Sequence, residues 1–338
     1  MSGTGFSNLT VVDYSKLSFR VTDREDEGGT SWTSLRFVSL AVYIFTFFLG
    51  SVANGVVVWI TGFRMQRTGS TILFLNLAIA DFVFTSSLPF SIVYAAMGFH
   101  WPFGRVWCKL SCAITVCSMY SSIFHVVAIS CDRCLTITAI VWAQSHRTPK
   151  NTWWTCLLIW VTTSFLSLPY FYFRDTKKED NFTKCFLHVT MMELLTLTAV
   201  RFAFGFVLPL LIILICYSII AYKCNTVQHR KSIRPLCTIA AVIVTFFTCW
   251  APFHVFQLLE LQLLENENAS LSSLLKYGIP LSASVAAVNS CMNPILYVCM
   301  GQNFQEKFRS SLFGVFFSKT LLSQRSTLQM ESLINEKM

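Results

Sequence analysis

The chain has 338 residues, 54% of them hydrophobic and 13% charged, and carries a formal net charge of +9. The positive charge comes without the basic helix or aromatic base platform of a nucleic-acid binder, and the apolar runs with their short loops take up nearly the whole chain, leaving no room for a second soluble domain. The 13 cysteines do not make a disulfide framework, because most fall inside apolar stretches where a free cysteine packs as a small hydrophobic residue.

Residues 1–34 read as a polar, glycosylatable tail that is expected to be flexible. It has no apolar core long enough for a cleaved signal peptide, so the first apolar run is expected to direct insertion. Seven runs follow, at Leu35–Thr61, Thr71–Met97, Val106–Cys131, Thr152–Phe173, Leu194–Tyr222, Pro235–Leu259 and Tyr277–Met300. Each holds the twenty or so apolar residues that a helix needs to cross about 30 Å of hydrocarbon. Barrel strands would instead alternate over about ten residues. The sequence therefore predicts an all-α membrane protein, a seven-transmembrane helix bundle over residues 35–300. Residues 301–317 predict a short amphipathic helix on the inner leaflet lipid, with Phe304, Phe308, Leu312 and Phe316 on one face and Lys307 and Arg309 on another. No cysteine follows Cys299 to carry a palmitoyl anchor. Residues 318–338 are polar and expected to form a disordered cytoplasmic tail.

The loops give an orientation. Three N-glycosylation sequons, at Asn8, Asn181 and Asn268, share one side of a seven-span chain. The opposite loops carry Arg64, Arg67, Arg147, Lys150, Lys223, Arg230, Lys231 and Arg234 with hardly an acid among them. That is the positive-inside pattern, so a plasma-membrane protein with an extracellular N-terminus is expected. On the outer side lie only Cys108 and Cys185, and two thiols in an oxidising compartment are expected to pair. A chain-entropy estimate gives the closed loop roughly 4–5 kcal/mol.

The third run ends in Asp132-Arg133 followed by Cys134. Charges at the mouth of a membrane helix are costly unless a mechanism uses them. With this pair stand Gly50 and Asn54 in the first run, Asn76-Leu77-Ala78 with Asp81 in the second, Trp160 with Pro169, Pro209 with Tyr217, Phe246 with Cys249-Trp250-Ala251-Pro252, and Asn293-Pro294-Ile295-Leu296-Tyr297. On these residues the chain resembles a rhodopsin-type G-protein-coupled receptor over about residues 35–317. Shorter strings make it most similar to the formyl-peptide and anaphylatoxin chemoattractant receptors: Gly62-Phe63-Arg64-Met65, His100-Trp101-Pro102-Phe103-Gly104, Asp132-Arg133-Cys134, His146-Arg147-Thr148 and Met300-Gly301-Gln302.

The resemblance implies roles. Arg133 is expected to pair with Asp132 at rest, then to meet the G protein's C-terminal helix while Tyr217 and Tyr297 swing toward it. The acid that some relatives place at the start of the sixth helix is missing, with Ser232 there instead, which implies weaker restraint. Pro169, Pro209, Pro252 and Pro294 interrupt helices and create kinks. Ile123, Pro209 and Phe246 match the family's packing switch beneath Trp250; read alone, each would be ordinary core. Asp81 is an ionisable group deep in the bilayer and must face the interior. Ser122, Asn289 and Asn293 match positions that complete a sodium site around it, and oxygen donors suit a hard cation. The alternative is a protonated, hydrogen-bonded Asp81 without an ion. No other cofactor is implied.

Ligand chemistry is read by exclusion and by charge. Thr115 stands where amine receptors carry an Asp, so an ammonium would lack its counterion. Ala287 stands where opsins need a Schiff-base Lys. Arg201 and Arg174 match positions at which the subgroup holds anionic ligand groups. A guanidinium inside a span is costly without a partner, so Arg201 either meets Glu193 or awaits a ligand carboxylate. His125 and His254 read as packing residues, with His254 able to face the pocket above Trp250. The expected function is a cell-surface receptor for a chemoattractant, coupled to inhibitory-class heterotrimeric G proteins and regulated by receptor kinases and arrestin through the tail from Ser318 to Ser332. Three other classes compete. A scavenger that binds without signalling would be expected to lose Asp132-Arg133 or Asn293-Pro294. A transporter would show inverted repeats and several intramembrane charges. An enzyme would need a catalytic motif that the chain lacks.

Overall fold

The apolar runs fold as long helices in the computed structural model, whose described residues are 11–13, 29–179, 182–226, 233–265, 269–299 and 310. Strand β1 covers Val11–Asp13. Helix α1 spans Gly29–Trp59 and runs on through a π turn at Ile60–Arg64. Next come α2, Gly69–Ala96, and α3, Gly104–Thr138. A short α4, Ile140–His146, leads to α5, Pro149–Phe173. Strands β2, Arg174–Glu179, and β3, Phe182–Thr190, follow. Helices α6, Met191–Phe202, and α7, Leu208–Thr226, form one span through a second π turn at Ala203–Val207. The bundle ends with α8, Ile233–Glu265, and α9, Ala269–Cys299.

Among the described residues, six helices are long and apolar enough to cross a membrane, from Phe37–Arg64 to Ser270–Pro294. The remaining long helix is α8, many of whose side chains from 233 to 243 lie outside the described set. Every spanning helix starts ahead of its apolar run, most markedly α1 at Gly29 and α9 at Ala269. The sequons at Asn8, Asn181 and Asn268, most of the expected amphipathic segment 301–317, the tail 318–338 and the side chain of Tyr297 lie outside the described residues.

The helices start where the sequence supplies caps. Thr68 accepts a hydrogen bond from the Thr71 amide at the head of α2, and Thr148 does the same from Asn151 before Pro149, the favoured first-turn proline. Thr190 and Glu193 form a capping box at α6. Packing runs from α9 to α8 and α1, from α1 to α2, from α2 to α3, and from α3 to α5 and α7. Outward faces are apolar, as Trp154, Leu158, Val161 and Phe165 on α5 and Leu211 and Ile215 on α7 illustrate, which is what lipid requires. Polar residues point inward. Asn54 donates to the carbonyls of Gly50 and Ser290 at 2.9 Å each, and Trp160 donates to Asn76 at 3.1 Å. The two interhelical bonds, Asn54 to Ser290 and Trp160 to Asn76, contribute roughly 1 kcal/mol each in hydrocarbon. At Gly50 an added Cβ would sit 2.5 Å from Thr85, so the α1–α2 approach depends on the missing side chain.

One end of the bundle carries the hairpin. β2 pairs antiparallel with β3, Thr176 opposite Cys185. Val11–Asp13 pairs with the far edge of β3, opposite Thr190, Val189 and His188, where the sequence leads one to expect only flexible tail. The Cys108–Cys185 disulfide forms as expected and ties β3 to α3. Around it the string from His100 to Gly104 folds into a plug. Trp101 is buried against the disulfide, its amide donates to the Thr183 carbonyl at 2.7 Å, and its indole donates to the Gly104 carbonyl at 2.8 Å. Gly104 has φ +76°, a left-handed conformation that glycine adopts without strain.

Candidate functional site

Four groups of side chains follow one another from the hairpin end of the bundle to the opposite end. Nearest the hairpin, Arg201 projects from the last turn of α6. Its guanidinium lies over the rings of Tyr170 and Phe253, with centroids 5.4 and 5.6 Å away. Its Nε is buried without a hydrogen-bond partner, as are Tyr120 Oη, His254 Nε2 and Trp250 Nε1. Tyr120, His254 and Arg201 converge on Gly205, where an added Cβ would lie 3.6, 3.7 and 3.8 Å from their side chains. Of the two partners that the sequence leaves open for Arg201, Glu193 is not paired with it among the described residues. Its carboxylate accepts from the Thr190 amide at 2.7 Å and from the Thr190 hydroxyl at 2.9 Å, so it serves the α6 cap.

A buried unpartnered polar atom costs about 1–3 kcal/mol. Several of them around one guanidinium, on helices α3, α6 and α8, make a polar subsite suited to an oxyanion. Tyr120 was not singled out from sequence, although it lies three residues before Ile123 and so on the same helical face. The other expected ligand residues are more scattered. Arg174, which caps α5 and opens β2, donates from Nε to the Sγ of Cys185 at 3.3 Å. Thr115 sits 3.4 Å from the hydroxyl of Ser87. Neither meets the Arg201 group through a hydrogen bond. A separate cavity of about 570 Å³ at the hairpin end, bordered by Arg105, Lys109, Tyr172, Asp175, His188 and Glu193, includes neither Arg201 nor Trp250. On its rim, burial pushes the Asp175 carboxyl up, but bonds from Arg105 at 2.8 Å and the Thr176 amide at 2.7 Å, with the charges of Arg105 and Lys109, outweigh this and hold it below the usual carboxylate range.

Deeper lies the packing group. Ile123, Phe246, Trp250 and Tyr120 share one buried cluster, Phe206 stacks on Phe246 at 5.9 Å, and buried Pro209 follows the π turn. Below it Asp81 is fully buried. Asn293 donates to its Oδ2 at 2.6 Å and to Ser122 at 3.4 Å, and Asp81 Oδ1 has no partner. Ser122 and Asn289 are buried as well. An orphaned carboxylate oxygen among hydroxyl and amide oxygens fits a sodium ion.

At the end away from the hairpin the charged pair departs from expectation. Asp132 does not pair with Arg133. Its Oδ1 accepts from Arg147 Nε at 2.5 Å and its Oδ2 from Arg147 Nη2 at 2.8 Å, while Ser70 Oγ lies 3.5 Å from Oδ2 and accepts from the same Nη2. The reason is geometric: the bidentate guanidinium fork reaches both carboxylate oxygens from the α4–α5 turn, which outcompetes a neighbour in sequence. Arg133 Nε is left buried without a partner. Beside it Tyr217 is buried with Cys134, Ile213, Cys216 and Ile220. Pro294 is buried in α9.

The helix bundle thus carries a disulfide-tied hairpin and a buried polar cluster toward one end, and the Arg147–Asp132 ion pair beside Arg133 at the other. The profile described as "7 transmembrane receptor (rhodopsin family)" matches residues 53–297, and the chain belongs to that family. It is a receptor family and not an enzyme family, and its members take an extracellular ligand and a G-protein partner. The chain is 40% identical over 299 residues to chemerin-like receptor 1 of Sus scrofa, covering 83% of this chain and 81% of the relative. It is 41% identical over 286 residues to chemerin-like receptor 2 of Rattus norvegicus, covering 83% and 80%. It is 37% identical over 327 residues to chemerin-like receptor 1 of Homo sapiens, covering 91% and 83%. These relatives agree with the chemoattractant subgroup that the short strings indicated.

Proposed function

We propose that this protein is a receptor for a peptide or protein chemoattractant whose anionic end enters the bundle and engages Arg201, with signalling through an inhibitory-class G protein. The observation that carries the ligand reading is the convergence of Arg201, Tyr120 and His254 on Gly205, with Arg201 Nε, Tyr120 Oη and His254 Nε2 unpartnered. A C-terminal carboxylate would satisfy the guanidinium fork, the Tyr120 hydroxyl and, through its N–H tautomer, the His254 ring. Thr115 would leave an ammonium without a counterion. Chemerin, for which the relatives are named, is the first candidate ligand. The hairpin end, with Arg174, would face outside and receive the body of the ligand. The opposite end, where the loops are basic, would face the cytoplasm and present Arg133, Tyr217 and Tyr297 to the G protein. The inhibitory class is favoured by the short basic loop from Lys223 to Arg234 and by resemblance to the chemoattractant subgroup. Asp81, Ser122, Asn289 and Asn293 would hold a sodium ion, which supplies a neutralising charge to the buried carboxylate. Receptor kinases and arrestin would act on the tail serines and threonines from Ser318 to Ser332.

The test is a cyclic AMP assay on cells expressing the receptor and challenged with chemerin and other peptide chemoattractants. An active ligand should lower cyclic AMP, and an inhibitory-class-specific toxin should remove the effect. A toxin-insensitive response, or a rise in cyclic AMP, would reject the G-protein class.

A further inference from the structure

We infer that Arg147 is a positioning residue for G-protein coupling: by holding both oxygens of Asp132 it keeps the neighbouring Arg133 unpaired and available. The inference rests on the proposed role of Arg133 in coupling. Arg147 Nε and Nη2 occupy the two carboxylate oxygens at 2.5 and 2.8 Å, and Ser70, from the first turn of α2, braces the same guanidinium. Arg133 forms no ion pair with Asp132, and its Nε has no partner.

The surrounding backbone is built for this placement. The Arg147 amide donates to the Ala143 carbonyl at 3.0 Å and closes α4, and the Thr148 amide turns back to the His146 carbonyl at 2.9 Å. Across the gap, a Cβ added to Gly69 would press on Thr152 Oγ1 at 3.1 Å and meet Arg147 Cγ and Nε at the contact distances of 3.4 and 3.5 Å, so the arginine stem packs against the first turn of α2. Ser70, next in the chain, supplies the hydroxyl. Two adjacent α2 residues thus accommodate a side chain from the α4–α5 turn.

The Asp132 side chain is 15% exposed, and a largely buried carboxylate seeks a cation. With Arg147 gone, the remaining guanidinium at this spot is Arg133, and a G protein would then have to break that pair before using it. A lysine at 147 would keep the charge and lose the two-point grip.

The experiment measures binding of nucleotide-free inhibitory-class heterotrimer, treated with apyrase, to the full-length receptor in lipid nanodiscs without agonist. Arg147→Gln should weaken binding roughly five- to tenfold, with Arg147→Lys intermediate. Adding Asp132→Asn to Arg147→Gln should recover most of the loss, because no carboxylate remains to capture Arg133. An Arg147→Gln variant that binds like wild type, or one that the second substitution fails to rescue, overturns the inference, the latter by showing that Arg147 only supports local structure. Arg133→Ala binding as well as wild type would instead overturn the coupling role itself, and this inference with it.

Discussion

Replacing Arg201 with alanine tests the ligand chemistry most sharply. The guanidinium sits over Tyr170 and Phe253 with its Nε unpaired, and Glu193 is committed to Thr190. Its ring contacts exist with or without ligand, so their loss affects both states and largely cancels in affinity. What does not cancel is the charge-assisted pair with the ligand carboxylate. Losing such a pair costs roughly 2–5 kcal/mol, and each 1.4 kcal/mol is about tenfold. Arg201→Ala should therefore reduce potency by at least about tenfold at matched surface expression, and Arg201→Lys should recover only part of it. The assay is a dose-response comparison of a peptide agonist as free acid and as C-terminal amide on wild type and both variants. The amide should lose potency on wild type and lose little more on Arg201→Ala. Equal potency of acid and amide on wild type, with an indifferent Arg201→Ala, would refute the reasoning and leave Arg201 a packing residue against the two rings.

Further outcomes follow from the same geometry. Tyr120→Phe removes an unpartnered hydroxyl and should weaken the free acid about three- to tenfold while sparing the amide; equal loss for both would mean that the hydroxyl does not act on the carboxylate. Agonist affinity of wild type should depend on sodium, tested by replacing sodium chloride with choline chloride. Asp81→Asn should abolish that dependence, and the same dependence in the variant would place the ion elsewhere. Asp175, held below the usual carboxylate range, contributes stability that is fully present above the unfolded value of about 4 and is lost as pH falls through the lower folded value. Thermal melting of the purified receptor should thus weaken in acid below about pH 4, and Arg105→Ala should flatten that dependence. With the Asp175 side chain 31% exposed, high salt should shrink the effect.

The spans were legible because hydrocarbon imposes a length and a polarity on every crossing helix, and the cross-links at Asn54, Asn76, Trp160 and Asn293 follow from the need of buried polar groups for partners. The capping box at Thr190 and Glu193 was also legible in principle, since Thr-x-x-Glu before an apolar run is a helix-start signature. Recognising it would have removed Glu193 as a partner for Arg201. The β2–β3 hairpin was harder to see, because Arg174–Glu179 is nearly all polar and its order comes from pairing with β3 and from the disulfide. Arg147 on Asp132 could not be read at all. It depends on a turn between two helices, and sequence adjacency favoured Arg133. The π turn at Ala203–Val207 likewise leaves no periodicity signal, yet it carries Gly205, around which Tyr120, Arg201 and His254 gather.

The central claim is that the protein is a signalling receptor that works through Arg133. Its most direct test is agonist-stimulated nucleotide exchange on an inhibitory-class G protein by purified receptor, wild type against Arg133→Ala, with agonist binding measured in parallel. The account predicts stimulated exchange in wild type and none above the receptor-free rate in Arg133→Ala, with agonist still bound by both. Agonist binding without exchange in wild type would contradict it and make the protein a scavenger of its ligand.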